Sequence, residues 1–301
     1  MKTHFIGMGE RIMSDLAAAL CQQGHQVTGS DVSFTKLALR GLESAALVPE
    51  QPGWFTEKIT QSLDKVVVGR QVSADNPELR AAQRLGLPIC SYPEYICDYA
   101  QDKQRIVITG GKETTLICVL VLHVLAFFHK AFDYVVDAAK LETSVQLSNA
   151  PIIILEGDVK PSSSIDSQPQ SLYYQHHMAL ISGIGWESSS TYPTLDTYLK
   201  QVKKLADASP KGSTLIYHEE DKLIKAIGKQ ARTDVKGVPY KAHAHQCKDG
   251  RAYLITPKGS IPFQEKDTAS ICALAGAQQL LHNLAISDQQ FYETLPTFFA
   301  N

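Results

Sequence analysis

Short apolar runs alternate with amphipathic stretches along most of this chain, and that alternation predicts its elements. His4-Phe5-Ile6, Gln26 to Asp31, Val66-Val67-Val68 and Leu87 to Cys90 have the length and residue types of brief strands. Between them, Met13 to Gln23 and Pro77 to Leu85 carry apolar residues at helical spacing. Gly24 closes the first helix as a left-handed cap, and Pro77 occupies the first turn of the second. Strands joined through helices imply parallel βαβ units and an open, doubly wound α/β sheet.

The polar break Asp102-Lys103-Gln104 interrupts this pattern, which restarts with the strand Ile106-Val107-Ile108. Further strands are expected at Ile152 to Leu155, Ala179 to Ile181 and Thr214 to Tyr217. A hairpin follows, Ala252 to Thr256 and Ser260 to Phe263 around Pro257-Lys258-Gly259, then helices over Thr268 to Leu284 and Ser287 to Phe298. The expected division is one domain over residues 1–103 and a second over 104–301. A chain of 301 residues is long enough for two cores.

Composition narrows the class. Hydrophobic content of 44% with 20% charged residues suits a soluble globular protein. A net charge of −2 without a polybasic block gives no reason to expect nucleic acid. The longest apolar run, Leu116 to Phe128, has thirteen residues including His123, too few for a bilayer and right for a buried helix. Six scattered cysteines without a C-x-x-C pair read as reduced thiols, and no leader precedes the first strand, so a cytoplasmic protein is expected.

Two glycine turns carry the candidate chemistry. Arg105 to Thr115 runs strand, Gly110-Gly111, Lys112, Glu113, Thr114-Thr115, then helix. That is the layout of a phosphate-binding loop, in which backbone N–H groups cradle phosphates, a lysine reaches them and a hydroxyl ligates Mg²⁺. The order departs from Gly-Lys-Thr/Ser, and a carboxylate stands where the loop should meet polyphosphate. The second turn, Gly7-Met8-Gly9 with Asp31 after the next strand, is a dinucleotide fingerprint short of its third glycine. A glycine turn opening a helix still favours an anionic group.

Other candidates have two readings each. Asp75-Asn76 either faces a ligand at the carboxyl end of the third strand or caps the helix from Pro77. Glu156-Gly157-Asp158 is either a Mg²⁺ position or a solvated turn. His176-His177 and His243-Ala244-His245 lack companions at ligand spacing and read as surface or strand histidines.

Taken together, these pieces resemble the Mur ligases, ATP-dependent enzymes that add amino acids or peptides to UDP-N-acetylmuramate. The similarity is nearest the branch that attaches L-alanine or a recycled tripeptide. It rests on His4 to Gly9, Gly24 to Asp31, Ala74 to Leu79, Pro151 to Asp158, Ala179 to Ile184 and Tyr192 to Asp196. The resemblance implies a Rossmann-like, UDP-binding N-terminal domain and a central ATPase domain of P-loop type. It places a UDP-type site at Gly7, Gly9, Ser30, Asp31 and Asn76. It places the phosphate loop at Gly110, Gly111, Lys112, Thr114 and Thr115, with Thr114 and Glu156 at Mg²⁺ positions. The family's C-terminal domain has no counterpart before Asn301.

The chemical positions of the family pattern are altered. Its loop reads G-[ST]-H-G-K-T-[TS], and here Glu113 or Thr114 falls on the lysine. The acidic E-x-D-E keeps Glu156 and Asp158 but ends in Val159; the D-H pair behind Trp186 is Glu187-Ser188. The H-N pair is Ala269-Ser270, with Ala273 at a later asparagine. G-x-G-G becomes Gly7-Met8-Gly9-Glu10. The expectation is a Mur-ligase-like protein that no longer completes the ligation, with Lys112 and Glu156 as catalytic remnants and little use for the family's ATP and Mg²⁺. A UDP-sugar or other nucleotide, or a cell-wall enzyme, is its expected partner. Two alternatives stand beside it: an active amide ligase completed by a separate C-terminal domain, and a nucleotide-binding oxidoreductase.

Overall fold

The computed structural model describes residues 1–163, 165–166, 168–229, 232–248, 251–263 and 268–300. The chain divides into two compact α/β units. The first comprises Met1–Lys103, Asp133–Ala150 and Lys160–Tyr174; the second comprises Gln104–Phe132, Pro151–Val159 and the chain from Gln175 onward.

The first unit begins β1 (Lys2–Ile6), α1 (Arg11–Gln22), β2 (Gln26–Ser30), α2 (Lys36–Ser44), β3 (Lys65–Val68), α3 (Pro77–Arg84), β4 (Ile89–Ser91) and α4 (Tyr92–Tyr99). Its strands form a parallel sheet in the order β2-β1-β3-β4, with Ile6 flanked by Ser30 and Val68. Phe5, Ile6, Val66, Val67 and Val68 are all fully buried, which is why these strands read as continuous apolar runs without alternation. The helices α2 and α4 are additions to the expected pattern. Their signals were caps: the Thr35 side chain accepts from Ala38 N, and Ser91 with Glu94 forms a capping box.

Two segments expected in the second domain group instead with the first unit. The reason is two buried charged side chains on α1. The Arg11 guanidinium donates to Ala138 O at 2.7 Å and Leu141 O at 2.6 Å. Asp15 accepts from Ser144 N at 2.6 Å and Ser144 Oγ at 2.7 Å. A buried charge must be hydrogen-bonded, so the later segments complete the earlier helix. Gln170, which accepts from Tyr92 Oη at 2.7 Å, ties in the third piece.

The remaining elements are β5 (Gln104–Thr109), α5 (Thr114–Phe127), β6 (Asp133–Val135), β7 (Val145–Gln146), β8 (Ile152–Glu156), α6 (Gln170–Tyr173), β9 (Met178–Ile181), α7 (Leu195–Asp207), β10 (Thr214–His218), α8 (Lys222–Gly228), β11 (Lys236–Tyr240), β12 (His245–Lys248), β13 (Arg251–Thr256), β14 (Gly259–Phe263), α9 (Thr268–Asn283) and α10 (Asp288–Ala300). The antiparallel pair β6–β7 and helix α6 fall in the first unit. In the second unit a parallel run is ordered β11-β10-β9-β5-β8. Strand β5 lies inside that run, with Ile106, Val107 and Ile108 fully buried. Helix α5 buries Ile117, Cys118, Leu120 and Val121 and packs against α9 and α10, as its near-continuous apolar sequence requires. The expected hairpin is β13–β14, extended by β12 into a small antiparallel sheet. Among the described residues no helix is long and apolar enough to cross a membrane.

Candidate functional site

In the first unit the chain leaves β1 through Gly7 (φ 88°), Met8 and Gly9, and α1 starts after Glu10. Gly7 N and Met8 N both donate to Ser30 O, at 3.0 and 3.1 Å. Gly9 N donates to Asp31 Oδ2 at 2.8 Å, while Asp31 Oδ1 accepts from Ser33 N at 3.2 Å. A Cβ on Gly9 would lie 1.8 Å from Ser33 O, so only glycine fits. Gly7, Gly9 and Asp31 therefore converge at the carboxyl ends of β1 and β2, where open sheets receive ligands.

Ser30 and Asn76 are buried and already engaged within the protein. Ser30 Oγ reaches both carboxylate oxygens of Glu78 at 2.6 Å. Glu78, fully buried, also accepts from Phe55 N and lies 3.3 Å from His4 Nε2. Asn76 Oδ1 accepts from Glu78 N at 2.9 Å and Leu79 N at 3.1 Å, capping α3 ahead of Pro77. The capping reading of Asp75-Asn76 is thus what the geometry displays. Glu10, which stands where the family's G-x-G-G turn has its last glycine, lies at the same turn. Burial pushes its carboxyl above the ordinary range, opposed by the Gln71 N–H at 3.2 Å and the charge of Arg70.

The second unit places its glycine loop at the carboxyl end of β5, beside the end of β9. Gly110 takes φ 133°, a backbone region open to glycine. Gly111 N donates to Ser182 Oγ at 3.1 Å. Thr114 Oγ1 turns back onto Gly111 O at 2.8 Å, and Thr115 Oγ1 donates to Glu156 Oε1 at 2.5 Å. Lys112 points to solvent: its side chain is 87% exposed and meets Glu187, itself 82% exposed, at 3.9 Å. An ion pair that exposed contributes little.

Around the loop, Tyr198 Oη accepts from Gly185 N at 3.2 Å and lies 3.5 Å from Gly110 O. Tyr240 Oη donates to Ser182 O at 3.4 Å, and its ring stacks on His218. Neither tyrosine carried a sequence signal, because each reaches the loop from a distant element. Val159 packs in the core cluster with Tyr192 and Tyr198, and its carbonyl accepts from Tyr192 Oη. Ala273 is fully buried on α9, and Ser188 Oγ donates to Pro193 O at 3.4 Å.

This arrangement does not fit a Mg²⁺-phosphate group. The hydroxyls and the Gly111 N–H are used within the protein, the ammonium faces away, and a carboxylate stands at the loop. Among the described residues no set of three or more His, Cys, Asp or Glu is placed to hold a metal ion. Of the histidines read as lying on the surface or in strands, two are buried. His176 Nε2 lies 2.9 Å from Ser209 Oγ, and burial, then His177 and Arg105, lowers its pKa to about 4. His243 Nε2 lies 2.8 Å from Tyr292 Oη.

Each of the two α/β units opens a helix from a glycine turn at the carboxyl end of a parallel sheet, the position at which open sheets of this class receive ligands. The profile of the Mur ligase family, catalytic domain, matches residues 2–104. A UDP-N-acetylmuramate–L-alanine ligase of Carboxydothermus hydrogenoformans is 25% identical over 99% of this chain and 65% of its own length. One from Streptomyces avermitilis is 28% identical over 71% of this chain and 45% of its own. The chain spans about half to two thirds of the length of such relatives. In fold it is similar to the UDP-N-acetylmuramate:L-alanyl-gamma-D-glutamyl-meso-diaminopimelate ligase of Neisseria meningitides, at TM-score 0.84 and 16% identity, covering 98% of this chain and 97% of that one. The UDP-N-acetylmuramate-alanine ligase of Thermotoga maritima gives TM-score 0.74 at 18% identity, covering 98% and 68%. The chain is thus similar to Mur ligases in sequence, and in fold over nearly its whole length.

Proposed function

We propose that this chain is a Mur-ligase-like protein that binds a UDP-sugar through its first unit and does not carry out ATP-dependent ligation. The observation that carries this reading is the outward turn of Lys112, with Glu113 standing at the loop in its place. Ligation through an acyl phosphate depends on charge aimed at the transferred phosphoryl group. Loss of one such group costs about 3 kcal/mol of transition-state stabilisation, or roughly a hundredfold in rate. Val159, Ser188 and Ala269, standing where the family pattern has acidic or histidine positions, reduce it further.

The first unit supports the binding half of the reading. Its glycine turn is held at every step, by Ser30 O and by Asp31, so the helix α1 presents its N-terminal end in fixed geometry. The relatives' names supply the ligand class, UDP-N-acetylmuramate, and the cytoplasm, where such nucleotides are made and used, is the matching setting. A cell-wall enzyme is the partner such a protein would modulate.

A thermal-shift panel tests both halves. UDP and UDP-N-acetylmuramate at 100 times their dissociation constants should each add about 2.7 kcal/mol. ATP with Mg²⁺ and ADP should add nothing. Release of ADP with UDP-N-acetylmuramate and L-alanine or tripeptide, at the rate of an ordinary ligase, would overturn the proposal.

A further inference from the structure

Glu113 does more than vacate the lysine position. It is the residue from which α5 starts, yet its carboxylate caps no backbone N–H of that helix. The side chain instead folds back against two glycines. A Cβ on Gly111 would lie 2.6 Å from Glu113 Oε2, and one on Gly183 would lie 2.8 Å from Glu113 Oε1. These glycines belong to the ends of β5 and β9, about 70 residues apart in the chain, so only their lack of side chains leaves room for the carboxylate. Its charge is felt by the surrounding groups. Burial, then Glu113, raises the Tyr240 hydroxyl well above its ordinary range, and burial, then Glu113 and Glu220, raises the Cys272 thiol to about 11.

We infer that the Glu113 carboxylate is an internal anion seated in the mouth of the loop, and that it excludes phosphoryl ligands from the second unit. Three features converge on this. A glycine-lined turn opening a long helix is where an external anion would settle. The carboxylate lies inside that turn, on the Cα faces of Gly111 and Gly183. The one lysine of the turn is displaced to solvent, where it meets Glu187. A phosphate entering here must approach a fixed like charge, which in a partly buried site is strongly unfavourable. The residue thus sets specificity by self-occupancy. This inference rests on the proposed loss of ATP chemistry and names the residue that enforces it.

The experiment titrates the full chain and its Glu113→Gln and Glu113→Ala variants with ADP and with inorganic phosphate, by calorimetry and thermal shift. The native chain should show no saturable binding of either probe. Glu113→Gln, which removes the charge at nearly constant volume, should bind ADP at least about tenfold more tightly than the native chain, the ratio that 1.4 kcal/mol sets. Glu113→Ala, which also empties the space, should bind more tightly still. Adding Lys112→Ala to Glu113→Ala should weaken the gain, since a freed turn lets the ammonium swing inward. Unfolding of each variant, followed by the fluorescence of Trp186, shows whether the second unit is intact; Glu113→Gln is the isosteric safeguard. If no folded variant binds either probe, the inference is overturned while the proposed function stands. If the native chain binds ADP as tightly as the variants, both fail.

Discussion

Glu78 lies under the glycine turn of the first unit, and its removal offers a sharp test of how that turn is held. The carboxylate is fully buried and accepts from Ser30 Oγ and Phe55 N, with His4 Nε2 at 3.3 Å. Glu78→Ala leaves a backbone N–H and a hydroxyl without an acceptor in a site closed to water. Each orphaned group costs about 1–3 kcal/mol, and breaking a buried charged network costs about 3–5 kcal/mol in all. Glu78→Gln keeps one oxygen for Phe55 N, and its amide can donate to Ser30 or to His4, so its cost should be about 1–2 kcal/mol. The two tryptophans make the assay specific, because Trp54 packs on the core of the first unit and Trp186 on that of the second. Urea unfolding of both variants in a Trp186→Phe background, followed by Trp54 fluorescence, gives the difference at constant m-value. The Ser30 carbonyl anchors Gly7 N and Met8 N, so Glu78→Ala should also abolish the thermal shift with UDP. Equal costs for the two substitutions, or both below about 0.5 kcal/mol, would refute the network argument.

The second unit should lose stability in mild acid through His176. Its pKa is lowered by burial to about 4 when folded, against about 6.5 unfolded. A group depressed in this way binds more protons unfolded, so its destabilising effect is absent above pH 6.5 and grows as pH falls toward 4. The expected loss is about 2 kcal/mol by pH 5, read from Trp186 unfolding, and His176→Gln should flatten that slope; an unchanged slope in the variant sinks the assignment. Thiol labelling should separate the six cysteines, which are thiols and not disulfides. Cys247 is exposed and should react first, Cys21 and Cys97 slowly. Cys118, raised well above its ordinary range, and Cys90 and Cys272, raised to about 12 and about 11, chiefly by burial, should react only on unfolding. Early modification of Cys272 would contradict its packing.

Much of the fold was legible because the inner strands β3, β5, β8 and β9 are buried on both faces and so read as apolar runs. The hairpin β13–β14 announced itself through Pro257-Lys258-Gly259. Helices α2, α7 and α8 escaped the sequence reading although α2 and α7 are amphipathic and each of the three opens on a capping residue, Thr35, Thr194 and Asp221. The first unit's leading segment ends at Lys103, and 133–150 and 160–174 return to that unit without a local sign in the sequence. Arg11 and Asp15 on α1 find their buried partners at Ala138, Leu141 and Ser144, and nothing local in the sequence connects those segments to the helix.

The two glycine turns show where such reading stops. Each follows a buried strand, opens a helix and has an acid nearby, so the local pattern is nearly the same. In the first, Asp31 comes from the neighbouring strand and accepts the Gly9 N–H, leaving the turn braced from the side. In the second, Glu113 lies within the turn and folds onto Gly111 and Gly183, so the acid fills the space that the turn encloses. The difference is 22 residues of separation in one case and two in the other. An acid reaching in from another strand can stabilise a ligand-receiving loop, whereas one rooted in the loop competes with the ligand. Which of these a carboxylate does depends on the direction of its side chain, and that is settled by Gly183, a residue no local pattern connects to Glu113.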